Sequence, residues 1–262
     1  MTTDFGSAEP FVGLVKAQIL GRHPDASIVD LTHDVAAFET EAAAFWIERS
    51  FRYFPPGSVH VVVVDPGVGT DRRILAVLLD GHLLLAPDNG VLGRIAAMPG
   101  ALVRAFSAGH LSGLALPEPS ATFHGRDLFG PLAGELAAGR VRFQALGRSC
   151  DDWVRATWDG PVVETDRILG RVIIVDRFGN CFSNIDAESL KSSEVKSVRF
   201  GVHELPLART YGDHPAGTGI ALVNAFGVLE AACVAGRADD RLALGLGAPV
   251  EVRLRGPDPG WT

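Results

Sequence analysis

The chain has 262 residues, enough for one large domain or two modest ones, each with a sizeable core. Hydrophobic residues make up 47% and charged residues 21%, with 30 glycines and 16 prolines, a composition that excludes disorder, collagen and coiled coil. A formal net charge of −7 with no basic run argues against a nucleic-acid partner.

The longest apolar stretches, such as 61–64 and 83–86, fall far short of the roughly 20 residues that span a bilayer, so no membrane partner is expected. The first ten residues have neither a basic nor an apolar leader pattern. Three widely spaced cysteines, Cys150, Cys181 and Cys233, suit a reducing compartment better than a disulfide framework. A cytoplasmic location is expected.

In chain order, residues 2–6 read as the turn after a first strand, although only Met1 precedes them. Residues 26–31 read as a strand. Residues 38–54 carry Ala, Phe, Trp and Ile at helical spacing and stop at Pro55-Pro56-Gly57. Residues 59–64 form a β-branched run bounded by Asp65-Pro66-Gly67, as for a strand buried on both faces. Residues 74–79 and 82–86 flank Asp80-Gly81, a type I′ hairpin signal. A helix is expected from His124 or Gly125 towards Ala138. Strands alternating with helices predict an α/β layer domain over 1–148 with a largely parallel sheet. After a polar linker at 149–166, short strand candidates at 169–175, 181–185, 197–200, 204–209, 219–223 and 249–254 predict a smaller, barrel-like all-β domain over 167–262.

Common catalytic signatures are absent. Gly67-Val68-Gly69 is followed by Thr70, Asp71 and Arg72, so the third glycine of a dinucleotide fingerprint fails. There is no P-loop, no G-x-S-x-G elbow and no His/Cys set at zinc-ligand spacing, so neither a metal nor a cofactor is expected. What remains is a series of polar segments at predicted strand ends: 2–6, 64–73, 87–90, 122–131, 176–180, 211–213 and 224–227. Each alone has a plain structural reading as a turn, a helix cap or a solvated charge. The set is more specific than any member.

Together these segments resemble the S-adenosylmethionine (SAM) hydrolases, also called SAM hydroxide adenosyltransferases, relatives of the fluorinase and chlorinase, from Asp4 to about Val252. The family's Asp-Arg-His triad matches Asp65 and Arg72, seven apart in D-P-G-V-G-x-x-R, and His124 before G-R-D. The resemblance implies that Asp4 holds both ribose hydroxyls, that Phe178 and Tyr211 pack on adenine, and that Asn180 reads its edge. Asp176 in DRFGN and Asn224 in NAFG join the implied substrate-binding set, as do Phe38, where the halogenases have a tryptophan, and Glu9 and Gly125. The halogenases have Tyr at Asp65 and the fluorinase a halide-binding Ser at Gly125, so halide use is disfavoured. Glu9, Ala225 and Phe226 stand where the halogenases grip the methionine end with Asp, Ser and Arg. Asn89 lies in a shared loop without an assigned role.

The resemblance implies hydrolysis of SAM to adenosine and L-methionine, and a homotrimer whose substrate lies between one subunit's N-terminal and the next one's C-terminal domain. Methionine leaves as a neutral thioether, so no general acid is needed. A complete proton transfer from water (pKa 15.7) to an ordinary carboxylate near 3.9 before attack would cost about 16 kcal/mol. Asp65 is therefore expected to orient the water and take its proton late, with Arg72 balancing charge and His124 orienting the water or stabilising developing hydroxide. The competing readings are a non-catalytic SAM or adenosine sensor and a halide-using SAM adenosyltransferase.

Overall fold

The structure, a computed structural model that describes residues 1–114, 116, 118–155, 159–191 and 194–255, divides into two units, Met1–Trp158 and Asp159–Thr262. In the first, a six-stranded sheet runs in the order β1-β2-β4-β3-β5-β6. Its strands are β1 (Thr2–Thr3), β2 (Val59–Val63), β3 (Ile74–Leu79), β4 (His82–Pro87), β5 (Leu102–Phe106) and β6 (Arg148–Ser149). The helices are α1 (Phe11–Arg22), α2 (Thr40–Ser50), α3 (Gly93–Ala96) and α4 (Gly130–Ala137).

The valine run of β2 shows why both faces must be covered. Val61 and Val63 point to one core, with Val15 and Ile19 of α1 and Leu132 of α4. Val62 and Val64 point to the other, with Ala43 and Ile47 of α2 and Ile95 of α3. Successive side chains of a strand alternate faces, so an unbroken apolar run demands helices on both sides. The sheet is mixed: β2 pairs parallel with β1 and β4, and the pairs β4–β3, β3–β5 and β5–β6 are antiparallel. Antiparallel pairing follows from the two-residue turn at Asp80 (φ 51°) and Gly81 (φ 80°), the left-handed pair that a type I′ hairpin requires.

Several local expectations shift. Thr2 and Thr3 are strand rather than turn, in register with Val62 and Val63. Residues 26–31 form no strand; a single bridge, Thr2↔Thr32, joins the residue after them to β1, because a two-residue strand offers too short a ladder. Helix α2 starts at Thr40, two residues after Phe38, whose φ is +70°. Helix α1 was not anticipated, because its apolar residues surround the axis: Val15 and Ile19 are buried while Phe11, Leu14 and Leu20 are exposed.

The second unit is antiparallel throughout its ladders. It comprises β7 (Val162–Val163), β8 (Arg167–Val175), β9 (Cys181–Asp186), α5 (Ala187–Lys191), β10 (Val195–Phe200), β11 (His203–Leu205), β12 (Gly219–Val223), β13 (Val228–Cys233), α6 (Ala238–Arg241) and β14 (Pro249–Leu254). The order is β11-β10-β14-β8-β9-β13-β12, with β7 beside β8. Pro206 cannot donate to a ladder and ends β11 early. The chain after it bridges Leu207 to Ala221 of β12, which nearly closes the sheet into a barrel around Val172, Phe200, Leu229 and Val252. Between the units, β6 pairs with β5 and the Val154 N–H donates to Asp88, so 148–154 are tied to the first unit; 156–158 lie outside the described residues.

Candidate active site

Asp65 follows directly after β2 and Val64, where the carboxyl end of a parallel strand opens towards solvent. The loop after it turns back through Gly69, at φ +79°; a Cβ there would lie 2.2 Å from the Ala121 carbonyl oxygen, so the close approach of the two loops requires glycine. That approach brings Arg72 between Asp65 and His124. Arg72 Nε donates to Asp65 Oδ1 at 2.6 Å, Nη2 donates to Asp65 Oδ2, and Nη2 also donates to His124 Nδ1 at 2.9 Å. The Asp65 and Arg72 side chains are 5% and 9% exposed, and His124 is buried.

Arginine has no acceptor, so His124 Nδ1 must be the unprotonated nitrogen and Nε2 carries the hydrogen. Electrostatics agree. Burial, then the Arg72 charge, push the His124 pKa below its ordinary value, with Asp65 opposing. His124 is thus a neutral imidazole whose free function is a donor. Arg72 Nη1, also buried, has no partner among the described residues.

His124 enters a π-helical turn, Gly125–Phe129, that leads into α4; such turns are frequent at functional sites. Asp127 anchors this turn by accepting from the Ser120 N–H and hydroxyl and from Arg126 Nε and Nη2, and its pKa falls to about 2, chiefly through Arg126. Asn89, the loop residue without an assigned role, donates from Nδ2 to the Val64 carbonyl at 2.8 Å and so fixes the end of β2 next to Asp65. Asp4, Phe38, Asp65, His124 and Gly125 line one cavity of 280 Å³, whose walls include the mutually edge-on rings of Phe5, Phe11 and Phe123. Asp4 Oδ2 accepts the Phe38 N–H at 3.0 Å and so supports a left-handed residue that costs about 1–3 kcal/mol.

The second unit gathers the remaining polar segments. Asp176 Oδ1 accepts the N–H groups of Phe178 and Asn180, and Oδ2 accepts Asn180 Nδ2 at 3.1 Å, closing the 176–180 turn. Tyr211 donates its hydroxyl to Glu230 Oε1 at 2.7 Å, and Asn224 donates from Nδ2 to Glu230 Oε2 at 2.9 Å. Burial pushes the Glu230 carboxyl up against these two donors, and burial with the Glu230 charge pushes the Tyr211 phenol up. Asp176, Phe178, Asn180, Tyr211, Asn224 and Glu230 line a cavity of 520 Å³.

The expected residues therefore fall into two groups. Asp4, Phe38, Asp65, Arg72, His124 and Gly125 belong to the first unit's site; Asp176, Phe178, Asn180, Tyr211 and Asn224 belong to the second unit's. Glu9 lines neither cavity and is exposed ahead of α1. Glu230 was missed, because it sits in β13, a strand that was not anticipated; the available signal was a single Glu inside Val228-Leu229-Glu230-Ala231-Ala232-Cys233. Among the described residues no group of His, Cys, Asp and Glu has metal-holding geometry, and no helix is long and apolar enough to cross a membrane.

Residues 1–147 match the model of the SAM hydroxide adenosyltransferase N-terminal domain, and residues 170–251 that of the C-terminal domain. The chain is 35% identical to the (R)-S-adenosyl-L-methionine hydrolase of Thermus thermophilus over 95% of its own length and 97% of that protein. A protein named fluorinase, from Nocardia brasiliensis, is 27% identical over 88% of each chain. The crystal structure of an uncharacterized conserved protein from Thermotoga maritima superposes with a TM-score of 0.85 at 34% identity, covering 96% of this chain and 98% of that one.

Proposed function

The chain belongs to the SAM hydroxide adenosyltransferase family, and on that footing we propose that it hydrolyses S-adenosyl-L-methionine to adenosine and L-methionine by in-line attack of water at ribose C5′. The (R) sulfonium epimer, which the name of the Thermus relative specifies, is the substrate assigned to this chain. One observation carries the reading: Asp65, Arg72 and His124 form a buried, hydrogen-bonded triad, and two of them line a cavity with Asp4.

The roles follow from the proton positions. His124 cannot be the base, since Arg72 occupies Nδ1 and Nε2 already bears hydrogen. Its Nε2–H donates to the water oxygen and gains strength as hydroxide character develops. Asp65 has both oxygens held by Arg72, yet each keeps a lone pair to accept from the water; it fixes the attack direction and takes the proton as the C–O bond forms. Arg72 offsets a carboxylate that stands near a sulfonium. Asp4 keeps Oδ1 free for the ribose diol while Oδ2 holds Phe38. In the second unit, Phe178 and Tyr211 supply ring faces for adenine, and Asn180, Asp176 and Asn224 supply polar groups for its edge. Gly125 packs closely: a Cβ would lie 3.1 Å from Phe5 and 3.2 Å from Phe123, so a side chain there would require those rings to shift.

The reading extends to a cytoplasmic homotrimer in which neighbouring subunits supply the two groups of residues; the family resemblance supports it. The test is chromatography after incubation with each SAM epimer, with and without chloride or fluoride. Adenosine and methionine in equal amounts are expected from the (R) epimer in every buffer. A 5′-halo-adenosine would make the chain a halide-using enzyme, and binding without product would make it a sensor.

A further inference from the structure

Burying a carboxylate without a cation disfavours the fold, yet Glu230 lies wholly buried in the middle of β13. Among the described residues no Lys or Arg pairs with it; its partners are the Tyr211 hydroxyl and the Asn224 amide. These come from different places. Tyr211 begins the short 3-10 turn Tyr211–Asp213, and Asn224 opens the turn that joins β12 to β13. Asn224 cannot reverse its amide, because Oδ1 accepts the N–H groups of Phe226 at 2.9 Å and Val228 at 3.3 Å. Its Nδ2 therefore always donates towards Glu230, and an acceptor is required there. Both partners line the 520 Å³ cavity, together with Phe178 and Asn180.

We propose that Glu230 is the positioning residue of this cavity: by accepting from Tyr211 and Asn224 at once, it locks the Tyr211 ring and the 224–227 turn in the geometry that receives the adenosyl moiety. The proposal rests on the SAM reading above. Glu230 touches no reacting atom in this role; it sets affinity, and it leaves the chemical step alone. A glutamine keeps one acceptor for Asn224 and turns an N–H towards the Tyr211 oxygen, so the Tyr211 hydroxyl must reverse. An alanine leaves both donors unmet.

The experiment measures adenosine affinity by calorimetry, and KM and kcat for SAM, in the full-length unaltered chain and in E230Q, Y211F, E230Q/Y211F and E230A. E230Q and Y211F should each weaken adenosine and raise KM by about tenfold, the scale of one charge-assisted hydrogen bond. At saturation kcat should stay within about twofold. The double variant should lose less than the sum of the two singles, since both changes act on one contact, and E230A should be worse than E230Q. Unchanged adenosine affinity in E230Q, additive losses, or a fall in kcat at constant KM, as a mere loss of folded protein would give, overturns the proposal. Failure of the unaltered chain to bind adenosine overturns the substrate reading as well, whereas wild-type turnover with indifferent variants overturns only the role of Glu230.

Discussion

Asp65 and His124 bond to the same guanidinium, and the proposed reading gives them different responses to change. Replacing Asp65 by Asn keeps the shape and removes the charge that Arg72 pairs with. Turnover should fall by roughly 10²- to 10⁴-fold, the range of a positioned base, while calorimetry finds adenosine affinity unchanged; a near wild-type rate would remove Asp65 from the mechanism. For His124, burial and Arg72 hold the pKa below its ordinary 6.5, so the imidazole is neutral at neutral pH. A plot of kcat/KM against pH should fall towards acid with its midpoint below 6.5, because protonation at Nδ1 would set two cations against each other. A limb centred above 6.5 would contradict the assigned tautomer. The linkage has the same sign: the unfolded chain takes up this proton before the folded one, so the stability His124 allows at neutral pH declines as the pH drops below 6.5. Both residues were legible in the sequence because they sit in short turn motifs whose spacing survives folding. Glu230 was not legible, since one carboxylate in an apolar run gives no hint that Tyr211 and Asn224 will converge on it.

Elements were legible where one periodicity dominated. The β2 valines and the Asp80-Gly81 hairpin appear as expected, because alternation of faces and left-handed turn geometry are local properties. Helix α1 escaped because its burial on α4 and the sheet covers only Val15 and Ile19, and β13 because Ala231, Ala232 and Cys233 lack β-branched side chains. The π-helical turn at Gly125–Phe129 carries the element-scale prediction. Gly125 packs under Phe5 and Phe123, whose ring atoms would stand 3.1 and 3.2 Å from an added Cβ. Both rings also pack edge-on with Phe11, so an added Cβ would push on a connected cluster. Gly125→Ala should destabilise the protein by about 1 to 3 kcal/mol through overpacking, read as a lower midpoint in thermal denaturation, and should also depress turnover by displacing His124. A midpoint equal to that of the unaltered chain would show that the rings yield and that glycine is not required there.

The division into two units, with the Asp65 group on one and the Glu230 group on the other, carries a prediction for the whole molecule that neither group makes alone. In the proposed homotrimer each site takes its first group from one subunit and its second group from a neighbour. Two variants, Asp65→Asn and Glu230→Ala, then each spoil every site when pure, the first in turnover and the second in affinity at low SAM concentration. Mixed and allowed to exchange subunits in equal amounts, they regenerate intact sites wherever the Glu230→Ala chain supplies Asp65 and its Asp65→Asn neighbour supplies Glu230. In a closed ring with random exchange that arrangement occurs at about a quarter of the sites, so the mixture should recover about that share of wild-type activity, and light scattering should give a mass three times that of the 27.8 kDa chain. If each chain formed its site by itself, no mixture could exceed the average of the two variants. Exchange can be followed separately with an affinity-tagged copy, so a mixture that exchanges fully and stays inactive refutes the shared site.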